Sequence, residues 1–122
     1  MDFVNGDFSI IYDQFIAKSL FTARQIDIIL KRLNAIKPNH ISSGAYYRQI
    51  KQCRNKILRV YYSIVLLSII GLIEDHELSS LAIIANKLQA IAKTDVSDNL
   101  EAQKLKEVML VIDTIITNIS KI

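Results

Sequence analysis

The sequence predicts an all-α fold, a single compact bundle of about five helices within one domain spanning 1–122. Helix breakers are rare, with 3 Gly and 1 Pro in a chain that is 51% hydrophobic. The high isoleucine content favours strands by propensity alone. However, the apolar residues recur at helical spacing in five segments, so spacing decides for helices.

The first two helices are predicted from their start and stop signals. The first runs over about 8–18, with Asp7 as a candidate N-cap. The second begins after Thr22, which forms a T-x-x-Q capping-box pattern with Gln25. Pro38 disfavours helical backbone in the residue before it, so this helix ends before the proline.

The third helix is predicted to begin at Ser42 or Ser43 and to run unbroken to about Leu72. Its buried stripe comprises Tyr46, Ile50, Cys53, Ile57, Tyr61 and Ile64. After Val60 both sides become apolar, so we expect the segment 60–73 to be buried in the core or against a partner subunit. Its apolar run is shorter than the ~20 residues that cross a bilayer.

Two further helices complete the predicted bundle. The fourth follows a turn at Gly71 and runs to about Lys93, and the fifth follows a loop at 94–97 and a capping-box-like pair, Asp98 and Glu101. The inward positions of the fourth are Leu78, Leu81, Ile84, Ala85, Leu88 and Ile91. Those of the fifth are Leu105, Val108, Met109, Ile112, Ile115, Ile116 and Ile119.

Positive charge is concentrated in one part of the chain. Nine of the fifteen Lys and Arg residues lie between Arg24 and Arg59, together with a single acid, Asp27, whereas the rest of the chain has a net charge of −5. The nine are Arg24, Lys31, Arg32, Lys37, Arg48, Lys51, Arg54, Lys56 and Arg59. A basic block in an otherwise acidic chain indicates where a polyanion docks.

The polar side of the third helix combines residue types that bind phosphate with types that read bases. It gathers Arg48, Lys51, Gln52, Asn55 and Arg59, with Lys56 on its flank. Arg pairs with guanine, and Gln and Asn pair with adenine. Ser43 at the helix start suits a backbone phosphate, and Arg24, Lys37, Lys56 and Arg59 are predicted to add phosphate contacts.

Two stretches resemble the helix-turn-helix regulators of the LuxR type and of sigma region 4. Residues 20–25 with 28–30, LFTARQ and IIL, resemble the pattern L-T-x-R-[EQ]-x-x-[IV]-L, and 43–57 resembles the recognition helix with its closing R-x-K-[LI]. The resemblance implies that Arg48, Lys51, Gln52 and Asn55 face the major groove. Those families place a helix between the two stretches, and 34–41 is too short for one. The segment at 8–18 and the Thr22 helix would then serve as the first two helices.

The sequence contains no catalytic motif, metal-ligand spacing or cofactor motif, so we predict neither enzymatic activity nor a cofactor. Cys53 is the only cysteine, which excludes an intrachain disulfide and fits a reducing cytosol. The chain begins without the basic and apolar regions of a signal peptide. We therefore expect a cytoplasmic protein with no membrane partner.

These observations favour a small DNA-binding protein, a transcriptional regulator that acts as a homodimer. Residues 20–59 would bind DNA, and 60–122 would form the core and the dimer interface. The alternative is a non-enzymatic helical module that binds an acidic protein partner or oligomerises. RNA is a weaker third partner, because the pattern predicts no exposed aromatic platform. Arg54 lies beside the apolar stripe and is a candidate ion-pair partner of Asp27 or of an acid from the C-terminal half.

Overall fold

The computed structural model describes residues 9–37, 40–93, 99–120 and 122, with side chains in the last helix described from 103 onward. In this part of the chain every regular element is a helix, which confirms the all-helical fold. The helices are α1 (Ser9–Lys18), α2 (Ala23–Leu33), α3 (Ser43–Ile69), α4 (Asp75–Lys93) and α5 (Asn99–Ile119). Although α3 has 27 residues, neither it nor any other helix in the described ranges is apolar over a length that could cross a membrane. The predicted caps Asp7 and Asp98 lie outside the described residues, as does the side chain of Glu101.

The chain divides into two compact units. One, the basic unit, is Phe15–Leu66 and carries ten Lys and Arg residues against one acid, a net charge of +9. The other, the acidic unit, comprises Met1–Gln14 and Leu67–Ile122 and carries a net charge of −6. The charge asymmetry of the sequence therefore coincides with a division in the fold.

α2 begins and ends with specific backbone and side-chain hydrogen bonds. The predicted capping box is confirmed: Gln25 N donates to Thr22 Oγ1 at 3.1 Å, and Thr22 N donates to Gln25 Oε1 at 3.0 Å. At the other end Ile36 N donates to Lys31 O (2.7 Å), the long bond of a Schellman motif. The residue in the left-handed position of this motif is Ala35, with φ +56°.

α3 ends in the same motif with a more favourable residue. Leu72 N donates to Leu67 O at 2.9 Å, and Gly71 occupies the left-handed position with φ +82°. Glycine adopts this backbone conformation without the steric cost that a Cβ imposes. Gly71 was predicted to mark this turn, and the structure confirms it.

The two Schellman motifs give a matched pair of stability predictions. We expect A35G to raise the free energy of unfolding by about 1 kcal/mol, because it removes the clash of a Cβ in left-handed backbone. We expect G71A to lower it by about 1 kcal/mol or more for the converse reason. Chemical denaturation of both variants checks the sign, and a destabilised A35G would contradict the described geometry of the α2 end.

The core of the basic unit includes the packing of α2 against α3. Ile28 of α2 and Tyr46 and Cys53 of α3 are buried. The Cys53 thiol donates to the carbonyl oxygen of Gln25, with a sulfur–oxygen distance of 3.8 Å. The same side of α3 therefore faces α2, and its opposite side is left for solvent.

The acidic unit has its core along α4 and α5. Ile11 of α1 is fully buried. Four further residues are almost fully buried, namely Ala92, Leu105, Met109 and Ile112. Glu77 is the one buried charged residue of the described chain, and its Oε1 accepts the backbone N–H of Glu74 at 3.0 Å. This carboxylate caps the start of α4, where the helix dipole also favours negative charge.

The prediction that the segment 60–73 is buried in the core of this chain is wrong, and its burial against a partner subunit stays a prediction. None of its residues is buried, and Tyr61, placed on the inward stripe by its spacing, is exposed together with Tyr62. The structure corrects Ile116 and Ala85 in the same way, because both were predicted to point inward and are exposed. Apolar periodicity identifies residues that favour burial, but it does not supply the neighbours that would cover them.

Candidate nucleic-acid interface

The first half of α3 presents a polar and positively charged face. Five side chains predicted to contact DNA are exposed on it and lie within an arc of about 100° at helical spacing. They are Arg48, Lys51, Gln52, Asn55 and Arg59, and we call them the basic face. Because the buried side chains of α3 lie on the opposite side, this face is free of packing against α2.

The predicted residues outside α3 lie beside the basic face. Arg24, from the first turn of α2, lines a polar hollow of about 250 Å³ together with Gln49 and Gln52 of α3. Leu20 and Arg59 line a second hollow of about 420 Å³, to which Gln52 and Asn55 also contribute. The basic face is thus extended by residues that precede α2 or begin it.

Lys37 and Ser43 meet at the start of α3. Lys37 Nζ donates to Ser43 Oγ at 3.2 Å and lies 6.0 Å from the centre of the Tyr46 ring. The capping residue is Ser42, whose Oγ accepts Ala45 N at 3.2 Å. Ser43 was predicted as a phosphate contact, and the structure gives its hydroxyl a lysine partner within the chain.

Lys56 differs from the other predicted cations, because it is half-buried between α2 and α3. Its Nζ donates to Gln25 Oε1 at 3.1 Å and lies 5.9 Å from the centre of the Phe21 ring. The same Gln25 oxygen accepts the Thr22 amide. The ammonium group therefore links α3 to the capping box of α2, although Lys56 also lines the hollow shared by Gln52, Asn55 and Arg59.

The ion pair suggested between Arg54 and Asp27 is not formed. Asp27 lies 3.0 Å from Lys31 one turn along α2. In the described part of the chain Arg54 is exposed and has no ion-pair partner. The only acid of the basic unit is thus paired with a lysine outside the basic face.

Burial governs the chemistry of Cys53. It raises the pKa of the thiol above its ordinary value, and the positive charge of Lys56 offsets part of that effect. We expect iodoacetamide to alkylate native Cys53 much more slowly than the same thiol in denaturant at pH 8.5. The thiol has a higher pKa in the folded protein than in the unfolded chain, so its protonated form favours folding. This contribution to the free energy of unfolding is fully present below the pKa of the unfolded chain and is lost as the pH rises through the pKa of the folded protein. Equal alkylation rates would contradict this burial.

A small acidic cluster lies at the start of α4. Carboxylate or imidazole atoms of Glu74, His76 and Glu77 all lie within 4.8 Å of one another. His76 Nδ1 is 3.4 Å from Glu74, and Glu77 caps the helix. These contacts give the cluster a role in capping the start of α4.

Sequence reasoning missed the exposed tyrosines of α3. Tyr47, Tyr61 and Tyr62 are all exposed, so the expectation that no aromatic surface is available is wrong. The Tyr47 ring packs edge-on against that of buried Tyr46, with centroids 5.4 Å apart. The sequence predicts burial for Tyr61 and Tyr62, which lie in the segment 60–73, but not for Tyr47, and the spacing of Tyr62 places it near the basic face.

Comparison with protein-family models, curated proteins and solved structures finds no match for this chain.

Proposed function

We propose that this protein binds double-stranded DNA through the basic face of α3. The observation that carries the proposal is the single exposed stripe of Arg48, Lys51, Gln52, Asn55 and Arg59 on a unit with a net charge of +9. The three cations neutralise phosphates and release counterions, a contribution that does not depend on sequence. Gln52 and Asn55 add carboxamides, which can read adenine edges in the major groove.

A single long helix is a suitable element for this task, because the major groove admits an α-helix. Arg24 flanks the stripe from α2, and Lys37 lies at the start of α3, where phosphates on either side of the groove would meet them. Transcriptional regulation is the role that such binding would serve. In the helix-turn-helix hypothesis, α2 and α3 are the last two helices. Their connection, 34–42, is longer than the usual three or four residues.

The competing hypothesis is a module that binds an acidic protein helix. Leu20, which is exposed and lines a hollow with Arg59, favours it, since an apolar residue beside cations suits an acidic amphipathic helix. RNA or single-stranded DNA is the third partner, favoured by the exposed Tyr47 on the same helix.

Fluorescence anisotropy with labelled ligands at about 50 mM salt separates these partners. The ligands are a mixed-sequence duplex, a single strand of the same length, an RNA hairpin and an acidic amphipathic peptide. We expect the duplex to bind with a Kd below about 10 μM, tighter than the others, as electrostatic binding allows. No duplex binding under these conditions would contradict the proposal, and tighter binding of the single strand or the peptide would favour the corresponding alternative.

A further inference from the structure

The second half of α3 exposes a continuous apolar face. Six large side chains in this half of the helix are 42–75% exposed. They are Leu58, Tyr61, Tyr62, Val65, Leu66 and Ile69, and we call them the apolar face. At about 100° per residue they fall within an arc of about 140°, whose centre is roughly 60° from that of the basic face. The two faces overlap in direction, but the basic face lies in the first half of α3 and the apolar face in the second.

The extent of this face suits a protein interface. Six side chains exposed to this degree present roughly 700 Å² of surface, near the ~800 Å² that each partner contributes to a standard-size interface. Val65 lies two helical turns after Leu58, and Ile69 lies one turn after Val65. This spacing is typical of residues in a helix–helix interface. Isolated apolar residues on a surface need no explanation, whereas a contiguous set of this size does.

We propose that the apolar face is the interface of a homodimer in which two α3 helices pair antiparallel. A two-fold axis between Ser63 and Ile64 matches large apolar residues in every position. It places Leu58 of each chain at the same level along the pair as Ile69 of the other, Tyr61 at the level of Leu66, and Tyr62 at the level of Val65. The face is thus complementary to itself, which identifies a second copy of this chain as the occupant.

The dimer has a consequence that also depends on the proposed function. The axis is perpendicular to both helices, so it leaves the two basic faces on the same side of the pair. The centre of each basic face lies along α3 at the level of Cys53 and Arg54, about ten residues from the axis. At 1.5 Å per residue the two centres are therefore about 30 Å apart. This is close to the ~34 Å between half-sites one helical turn apart, so the dimer would bind duplex DNA at two such half-sites.

Light scattering without DNA tests the dimer. We expect the wild-type protein to have twice the 13.9 kDa chain mass at about 50 μM. The dissociation constant of the V65E dimer should be at least tenfold higher than that of the wild-type dimer. L110E is the matched control, because Leu110 is at least as exposed as Val65 but lies on α5, and it should remain dimeric. Circular dichroism checks that each variant folds, and Y62K, at a side chain 75% exposed, serves as a second interface variant. A monomeric wild-type protein would overturn the proposal, as would a V65E or Y62K variant that dimerises like wild type.

Oxidative crosslinking tests the register. Native Cys53 can be retained because it is only 3% exposed. A mixture of L58C and I69C chains should form disulfides between the two variants, whereas L58C alone should not crosslink. Crosslinking of L58C to itself would indicate parallel helices and contradict the register. A dimer without affinity for DNA would overturn only the proposed function, and a monomer that binds DNA would overturn only the dimer.

Discussion

Charge reversal on the basic face, R48E/K51E, is expected to lower the affinity for duplex DNA at least 100-fold at about 100 mM salt. Each cation lost from a DNA interface costs about 1–3 kcal/mol when it contacts a base and a salt-dependent contribution when it contacts phosphate. Reversal adds repulsion between the new carboxylates and the phosphates. Both side chains are exposed and lack ion-pair partners in the described part of the chain, so the fold should tolerate the change. Fluorescence anisotropy at fixed salt measures the loss.

The matched control for this variant is K87E/K104E. It changes the net charge by the same amount at two exposed lysines of α4 and α5, in the acidic unit. We expect it to weaken binding no more than about threefold, because neither lysine belongs to the basic face. An equal loss in both variants would mean that net charge alone attracts DNA and that the basic face is not its site.

The largest expected effect on stability comes from truncating the core of the acidic unit. I112A should lower the free energy of unfolding by about 2–5 kcal/mol, since Ile112 is 4% exposed and its removal leaves a cavity. This is a large share of the ~5–15 kcal/mol that stabilises a typical domain. Urea denaturation followed by circular dichroism measures the difference.

Ile116 supplies the control one helical turn away. It is the same residue type on the same helix but is 42% exposed, so I116A should cost less than about 1 kcal/mol. The sequence places both isoleucines on the inward stripe of α5, and only the structure separates them. Equal costs for the two variants would contradict the described orientation of α5.

Local signals in the sequence predict the helices of this protein well. The capping box at Thr22 and the glycine turn at Gly71 operate over a few residues, and the structure confirms both. α3 ends at Ile69, three residues before the predicted end at Leu72. The residues that follow form the Schellman motif, in which Gly71 adopts the left-handed conformation and the helix cannot continue.

Long-range packing could not be predicted in the same way. In 60–73 almost every position is apolar, so periodicity cannot distinguish the side that packs within the chain from a side left exposed. Tyr61 therefore belongs to the exposed side although its spacing continues the stripe of Tyr46 and Cys53.

For the candidate site, the sequence predicts the direction of side chains along α3 but not contacts between helices. The exposure of Arg48 and Lys51 follows from the helical repeat once Tyr46 and Cys53 are assigned to the core. The engagement of Lys56 depends on Gln25, which lies 31 residues away in the sequence. No local pattern encodes such a pair, because it arises only from the packing of α2 against α3.

The salt dependence of duplex binding tests the central claim most directly. If Arg24, Lys37, Arg48, Lys51 and Arg59 contact phosphates, the plot of log K against log salt concentration should be linear with a slope of about −4 to −5. R48A/K51A should make that slope shallower by about 2, with no change in helical content. A flat slope, or the absence of duplex binding near 50 mM salt, would contradict the account that the basic face of α3 binds DNA.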